Sequence, residues 1–106
     1  MQFKDYLATF ACVDHVMKLE IVNEDEEIIH IIPAIEGKLG SLKLYYTLAE
    51  RFTRLTPEAA QQGLIWFAEH VVDAKQNPGK HPNIDLLFKV IDEQRVFKLR
   101  PIVKET

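Results

Sequence analysis

The chain has 106 residues, of which 47% are hydrophobic and 27% charged, and its formal net charge is −3. This length and composition predict one globular domain over residues 1–106 and exclude a chain that is disordered throughout. The acidic balance makes nucleic-acid binding unlikely, and no apolar run reaches the 18 residues that a membrane-spanning helix requires.

Cys12 is the only cysteine, so neither an intrachain disulfide nor a cysteine-based zinc site can form. No basic residue adjoins it, which predicts a buried, unreactive thiol. The N-terminus lacks the apolar run of a signal peptide. Together these features predict a cytoplasmic protein.

The first half of the chain predicts one helix followed by two strands. Residues 2–11 carry apolar side chains at helical spacing, whereas residues 16–22 and 28–33 alternate as half-buried strands. The acidic run over 23–27 lies between the strands and lacks the glycine and distal glutamate of an EF-hand. We therefore expect a solvated hairpin tip, with His30 on the open face of the sheet.

The second half predicts three helices and one strand. A helix over 42–54 has Ser41 as its N-cap, and a long helix begins at Thr56-Pro57 and runs to Gln76. A third helix covers residues 83–93, and residues 95–100 alternate as a last strand. The order α-β-β-α-α-α-β predicts an α+β domain in which helices cover a three-stranded antiparallel sheet.

The long helix carries a second stripe beside its main apolar face. Regular helical geometry places Trp66, His70 and Asp73 on this stripe. Trp66 has three interpretations: packing between two neighbouring elements, an anchor in an interface, or the wall of a ligand pocket. In the interface interpretation, Tyr45 and Tyr46 are its candidate companions.

The segment over 77–83 is the best candidate for a ligand site. Its Pro-Gly pair predicts a type II turn that delivers Lys80 and His81 to a helix start, where free amides favour an anion. His70 and Asp73 would join the site if the turn folds back. No P-loop pattern is present, and the alternative is a rigid connector between helices.

The same side chains do not form a recognised metal motif. His70 and Asp73 stand three residues apart on one helix face, and no His-Glu-x-x-His pattern occurs. Ser41 is the only serine, and no catalytic triad can be argued. We therefore predict neither a metal nor a cofactor, and no catalytic residue is assigned.

Three runs of sequence carry a resemblance: Leu-Ala-Glu-Arg-Phe over 48–52, Trp-Phe-Ala-Glu-His over 66–70, and Asn-Pro-Gly-Lys-His-Pro-Asn-Ile-Asp over 77–85. With them the chain resembles a family of small uncharacterised bacterial proteins of about this length. The resemblance implies a bacterial, cytosolic protein, and it implies no catalytic residue.

Two functions follow as hypotheses. The first is a non-catalytic protein-interaction module that self-associates as a homodimer, or binds another protein, through Trp66, Tyr45 and Tyr46 or through a strand edge. The second is a small-ligand-binding or enzymatic domain with an anionic ligand near His70, Lys80 and His81. The distance between His70 and His81 separates the two hypotheses.

Overall fold

A computed structural model describes residues 1–105. It confirms an α+β domain with the predicted order, to which it adds one strand and one helix boundary. The elements are α1 Phe3–Leu7, β1 Val16–Val22, β2 Ile28–Pro33, α2 Leu39–Phe52, β3 Arg54–Leu55, α3 Pro57–Phe67, α4 His70–Gln76, α5 Pro82–Glu93 and β4 Phe97–Val103.

The sheet has four antiparallel strands in the order β2-β1-β4-β3, so the prediction of three strands was wrong. The added strand is Arg54–Leu55, which pairs with Lys98 and Phe97 of β4. Two residues are too few to show an alternating pattern, and they lie between two strongly helical segments. The predicted hairpin of β1 and β2 is confirmed.

The last strand is longer than predicted and passes through Pro101, which lies opposite Leu19 of β1. Within residues 1–105, β4 has no partner strand on its other side beyond Lys98, because β3 consists of two residues and begins at Arg54, opposite Lys98. Proline is tolerated there because an unpaired strand side requires no N–H donor.

The core lies between the sheet and the helices. Leu19, Ile21 and Ile32 on the inner sheet face are buried together with Tyr45 and Leu48 of α2. Helix α3 packs against both α2 and α5. At Gly63 of α3 a Cβ atom would lie 2.8 Å from a methyl group of Leu87 in α5, so glycine permits this close approach.

The opposite face of the sheet carries an ionic cluster. Glu20 is only 6% exposed, and its carboxylate bonds to Arg100 at 2.9 Å and to Lys18 at 3.3 Å. The Arg100 guanidinium beside it, together with Lys18, holds the pKa of Glu20 below its ordinary value. Glu26 in the hairpin tip bonds to Lys98, so charged side chains cover the middle of this face.

The long helix predicted from Pro57 to Gln76 is divided into α3 and α4, and the prediction of one helix was wrong. Ala68 adopts φ 52° and ψ −119°, which no α-helix can contain. The break turns Glu69 and His70 towards the N-terminal segment, where both contact Phe3. Because alanine favours helices, nothing in the local sequence signals this break.

Four smaller predictions also require correction. The predicted helix over 2–11 extends only from Phe3 to Leu7. Ser41 lies inside α2, which begins at Leu39 and has no side-chain cap. Cys12 is exposed rather than buried. His30 lies opposite the buried Ile21 and bonds to α5, so it occupies the inner rather than the open face.

Candidate functional site

The turn between α4 and α5 folds back, so that His70 and His81 lie close together. Their ring centroids are 6.0 Å apart. Asp73 also joins His81, since the two side chains share a hydrogen bond of 2.6 Å. His70, Asp73 and His81, which the sequence indicated as candidate ligand residues, therefore form one cluster in space.

The Pro-Gly turn produces this return. Gly79 has φ 92°, and the Lys80 N–H donates to the Asn77 carbonyl at 3.1 Å, as the predicted type II turn requires. Asp85 in the first turn of α5 accepts a hydrogen bond from the Gly79 N–H at 2.9 Å. The turn is thus tied to the helix that follows, which fixes the direction of Lys80 and His81.

Asp73 is the carboxylate at the centre of the cluster. Its Oδ2 lies 2.6 Å from Nε2 of His81 and 3.1 Å from Nζ of Lys80. The hydrogen bond from His81 and then that from Lys80 lower the pKa of Asp73 to about 2. The ionised carboxylate only accepts hydrogen bonds, so Nε2 of His81 carries the proton between them.

A cavity of about 430 Å³ opens beside this cluster. It lies between α1, the beginning of α2, the end of α3 and the beginnings of α4 and α5. Four basic side chains line it: Lys38, His70, Lys80 and His81. Lys38 comes from the loop before α2, and sequence reasoning missed it because α2 was predicted to begin three residues later than it does.

Two longer helices begin at the same cavity. Helix α2 has 14 residues and helix α5 has 12, and neither start is closed by a side-chain cap. Leu39, Gly40 and Ser41 form the first turn of α2 and line the cavity. Amides in a first helical turn have no partner within the helix and carry partial positive charge. They add to the positive potential of the basic side chains.

Asn83 connects this cavity to the core. It is 7% exposed, its carbonyl accepts the Tyr45 hydroxyl at 2.5 Å, and its Oδ1 accepts from Nε2 of His30 at 2.6 Å. Burial raises the pKa of the Tyr45 phenol well above its ordinary range, which keeps it a neutral donor. Asn83 also lines the cavity.

An aromatic wall forms the other side of the cavity. Phe3 stacks on Phe67 with ring centroids 5.3 Å apart and meets His70 edge-on at 5.1 Å. The Phe3 N–H donates to Glu69 at 2.7 Å, and this bond holds the pKa of Glu69 below its ordinary value. Phe3 was not identified from the sequence, since it lies in no recognisable motif, and Asn83 lies within the 77–83 segment but was not assigned to the ligand site.

The three residues predicted for an interface occupy different positions. Trp66 is 5% exposed and packs against Phe10, while Tyr45 is fully buried. The structure thus places both in the core of the single chain. Tyr46 is half-buried, and its hydroxyl lies 3.2 Å from Nε2 of His15.

The described part of the chain, residues 1–105, contains no group of three His, Cys, Asp or Glu side chains placed to hold a metal ion. It also contains no helix that is both long enough and apolar enough to cross a bilayer.

Fold and cavity together define a small α+β domain with a basic pocket where two helices begin. The chain belongs to a family of uncharacterised proteins conserved in bacteria, DUF2322, whose model matches residues 3–101. The resemblance inferred from the sequence is therefore confirmed. No curated protein and no solved structure matches the chain.

Proposed function

We propose that this domain binds a small anionic molecule in the pocket formed at the starts of α2 and α5. One observation supports the proposal above the others: Lys38, His70, Lys80 and His81 line a single cavity of about 430 Å³. This volume falls in the range of about 300–1,000 Å³ typical of small-molecule pockets.

The charges around the cavity are compatible with a bound anion, but Asp73 would compete with that anion for the same basic side chains. Asp73 neutralises part of the charge of Lys80 and accepts the hydrogen bond of His81. Lys38 is exposed and also lines the cavity, and its amine forms no ion pair among residues 1–105. A bound anion would therefore contact Lys38 and the helix amides directly, and would share Lys80 with Asp73.

Titration with inorganic phosphate, followed by the amide resonances of Gly40 and Ser41 in heteronuclear NMR, tests the proposal. We expect saturable shifts, and we expect Lys38→Ala and Lys80→Ala each to weaken phosphate binding by about tenfold or more, since a charge-assisted hydrogen bond contributes about 1.5–3 kcal/mol. Lys75→Ala is the matched control, because Lys75 is exposed on α4 outside the cavity. If all three variants lost the same affinity for phosphate, the effect would come from net charge alone and not from contacts in the pocket.

A second candidate function is self-association, and the edge of the sheet favours it. Strand β2 is an outer strand, and Ile28, Ile29 and Ile31 on it are between 39% and 46% exposed. An apolar outer strand presents unpaired backbone groups to a second copy. Sedimentation over increasing protein concentration tests this candidate, and a monomer throughout would contradict it.

A further inference from the structure

The cavity has a basic side and an aromatic side, and the two meet at Gly40. The Phe3 ring lies over Gly40 in the first turn of α2, where a Cβ atom would be only 3.1 Å from it. The amides and basic side chains therefore adjoin an aromatic surface without a gap. One small molecule can contact both sides at once.

The volume of the cavity also favours a ligand larger than an inorganic ion. A water molecule takes up about 30 Å³ of liquid volume, and an oxyanion such as phosphate only a few times as much. The cavity of about 430 Å³ leaves most of its space unfilled by such an ion. That remaining space is bordered by Phe3 and Phe67.

We propose that the ligand is a small organic anion whose charged group lies at the start of α2 and whose planar or apolar group packs against Phe3. This inference rests on the proposed function and specifies its ligand class. Phe3 suits the second role because it is half-buried and held in place by Glu69 and by Phe67. Burying an aromatic group against such a surface adds affinity that an inorganic ion cannot obtain.

Three probes separate the contributions: inorganic phosphate, phenyl phosphate and phenol, each titrated into the full chain by calorimetry. We expect phenyl phosphate to bind at least about tenfold more tightly than phosphate, and phenol to bind much more weakly than phenyl phosphate. In Phe3→Ala the preference for phenyl phosphate over phosphate should fall close to unity.

Phe52→Ala is the matched control, because Phe52 is half-buried in α2 and does not line the cavity. Circular dichroism of both variants verifies that they are folded, and Phe3→Leu, which retains an apolar side chain, should keep part of the preference.

The outcomes distinguish the two proposals. If neither phosphate nor phenyl phosphate binds, the anion-binding function itself is wrong. If phosphate binds as tightly as phenyl phosphate, or if Phe3→Ala leaves the preference intact, the anion site stands and the organic-ligand inference is overturned. Phenol binding as tightly as phenyl phosphate would also overturn the organic-anion inference, since the charged group would then add no affinity to the aromatic one.

Discussion

Asp73 is the residue that most directly controls the charge of the pocket. Its pKa of about 2 lies below the ordinary value of 3.8, and the bond to His81 is the main cause. A carboxylate with a lowered pKa stabilises the folded chain at every pH above its ordinary value. That contribution disappears as the pH falls through the range from about 3.8 to about 2.

Asp73→Asn tests this assignment. We expect the variant to be less stable than the wild type near neutral pH, with the difference shrinking as the pH falls from about 4 towards 2. Urea unfolding at a series of pH values measures it. A difference that is constant across this range would mean that ionisation of Asp73 contributes nothing. The same variant should bind phosphate more tightly, because Lys80 and His81 lose their internal anion.

The Tyr45 hydroxyl secures the beginning of α5 from within the core. Tyr45→Phe removes its bond to the Asn83 carbonyl and leaves that buried acceptor without this donor. We expect a loss of about 1–2 kcal/mol in the free energy of unfolding. Tyr46→Phe, whose hydroxyl lies near His15 on a half-buried side chain, should cost less than about 0.5 kcal/mol. Denaturant unfolding compares the two, and equal effects would rule out a special role for Tyr45.

At the scale of elements, the break at Ala68 creates the pocket. Were α3 to continue to Gln76, the side chains of Glu69 and His70 would follow its axis instead of turning to Phe3. A non-glycine residue with φ 52° is strained, and the contacts of Glu69 and His70 with Phe3 offset that strain.

Ala68→Gly should relieve this strain. We expect it to stabilise the chain by about 1 kcal/mol, since glycine adopts positive φ without a steric penalty and this gain exceeds its greater loss of chain entropy. Ala49→Gly, in the middle of α2, should instead destabilise by about 0.5–1 kcal/mol. Thermal and urea unfolding of both variants measure the two signs. A loss of stability in Ala68→Gly would show that the break is not strained.

Regular elements were predictable where the sequence pattern is long. Strands β1 and β2, the type II turn and the existence of α5 follow from alternation, from Pro78-Gly79 and from helical spacing. The helix break and β3 were not predictable, because both depend on contacts with distant segments. The break at Ala68 depends on the contacts that the following residues make with Phe3, and the strand Arg54–Leu55 depends on its pairing with β4. Long-range contacts override local propensity.

The residues of the candidate site also fall into two groups: those that the sequence could indicate and those that it could not. His70, Asp73, Lys80 and His81 could be proposed from the sequence because they flank a recognisable turn, and the structure brings them together. Lys38 and Phe3 arrive from segments that are remote along the chain, so no local pattern marks them, whereas Asn83 lies within the 77–83 segment but was not assigned to the site. Trp66 was conspicuous as the only tryptophan, yet it lies in the core.

At the scale of the whole molecule, both faces of the sheet are covered, whereas its outer strand β2 remains exposed. The inner face is filled by helices, and the middle of the outer face is covered by the cluster of Glu20 and Arg100. The outer strand β2 remains apolar and contains no lysine, and its pairing with β1 shifts register once, between Ile28 and His30. Self-association of this protein should therefore begin at β2.

Ile31→Lys tests this expectation without disturbing the fold. Ile31 is 43% exposed and lies opposite Glu20, so an introduced lysine would face a carboxylate within its own sheet. If copies associate along β2, this charge should shift sedimenting species towards the monomer by raising the dissociation constant about tenfold or more. Ile65→Lys, on α3 and 56% exposed, is the matched control and should leave association unchanged. Dissociation by Ile65→Lys but not by Ile31→Lys would move the interface from the sheet edge to the helices.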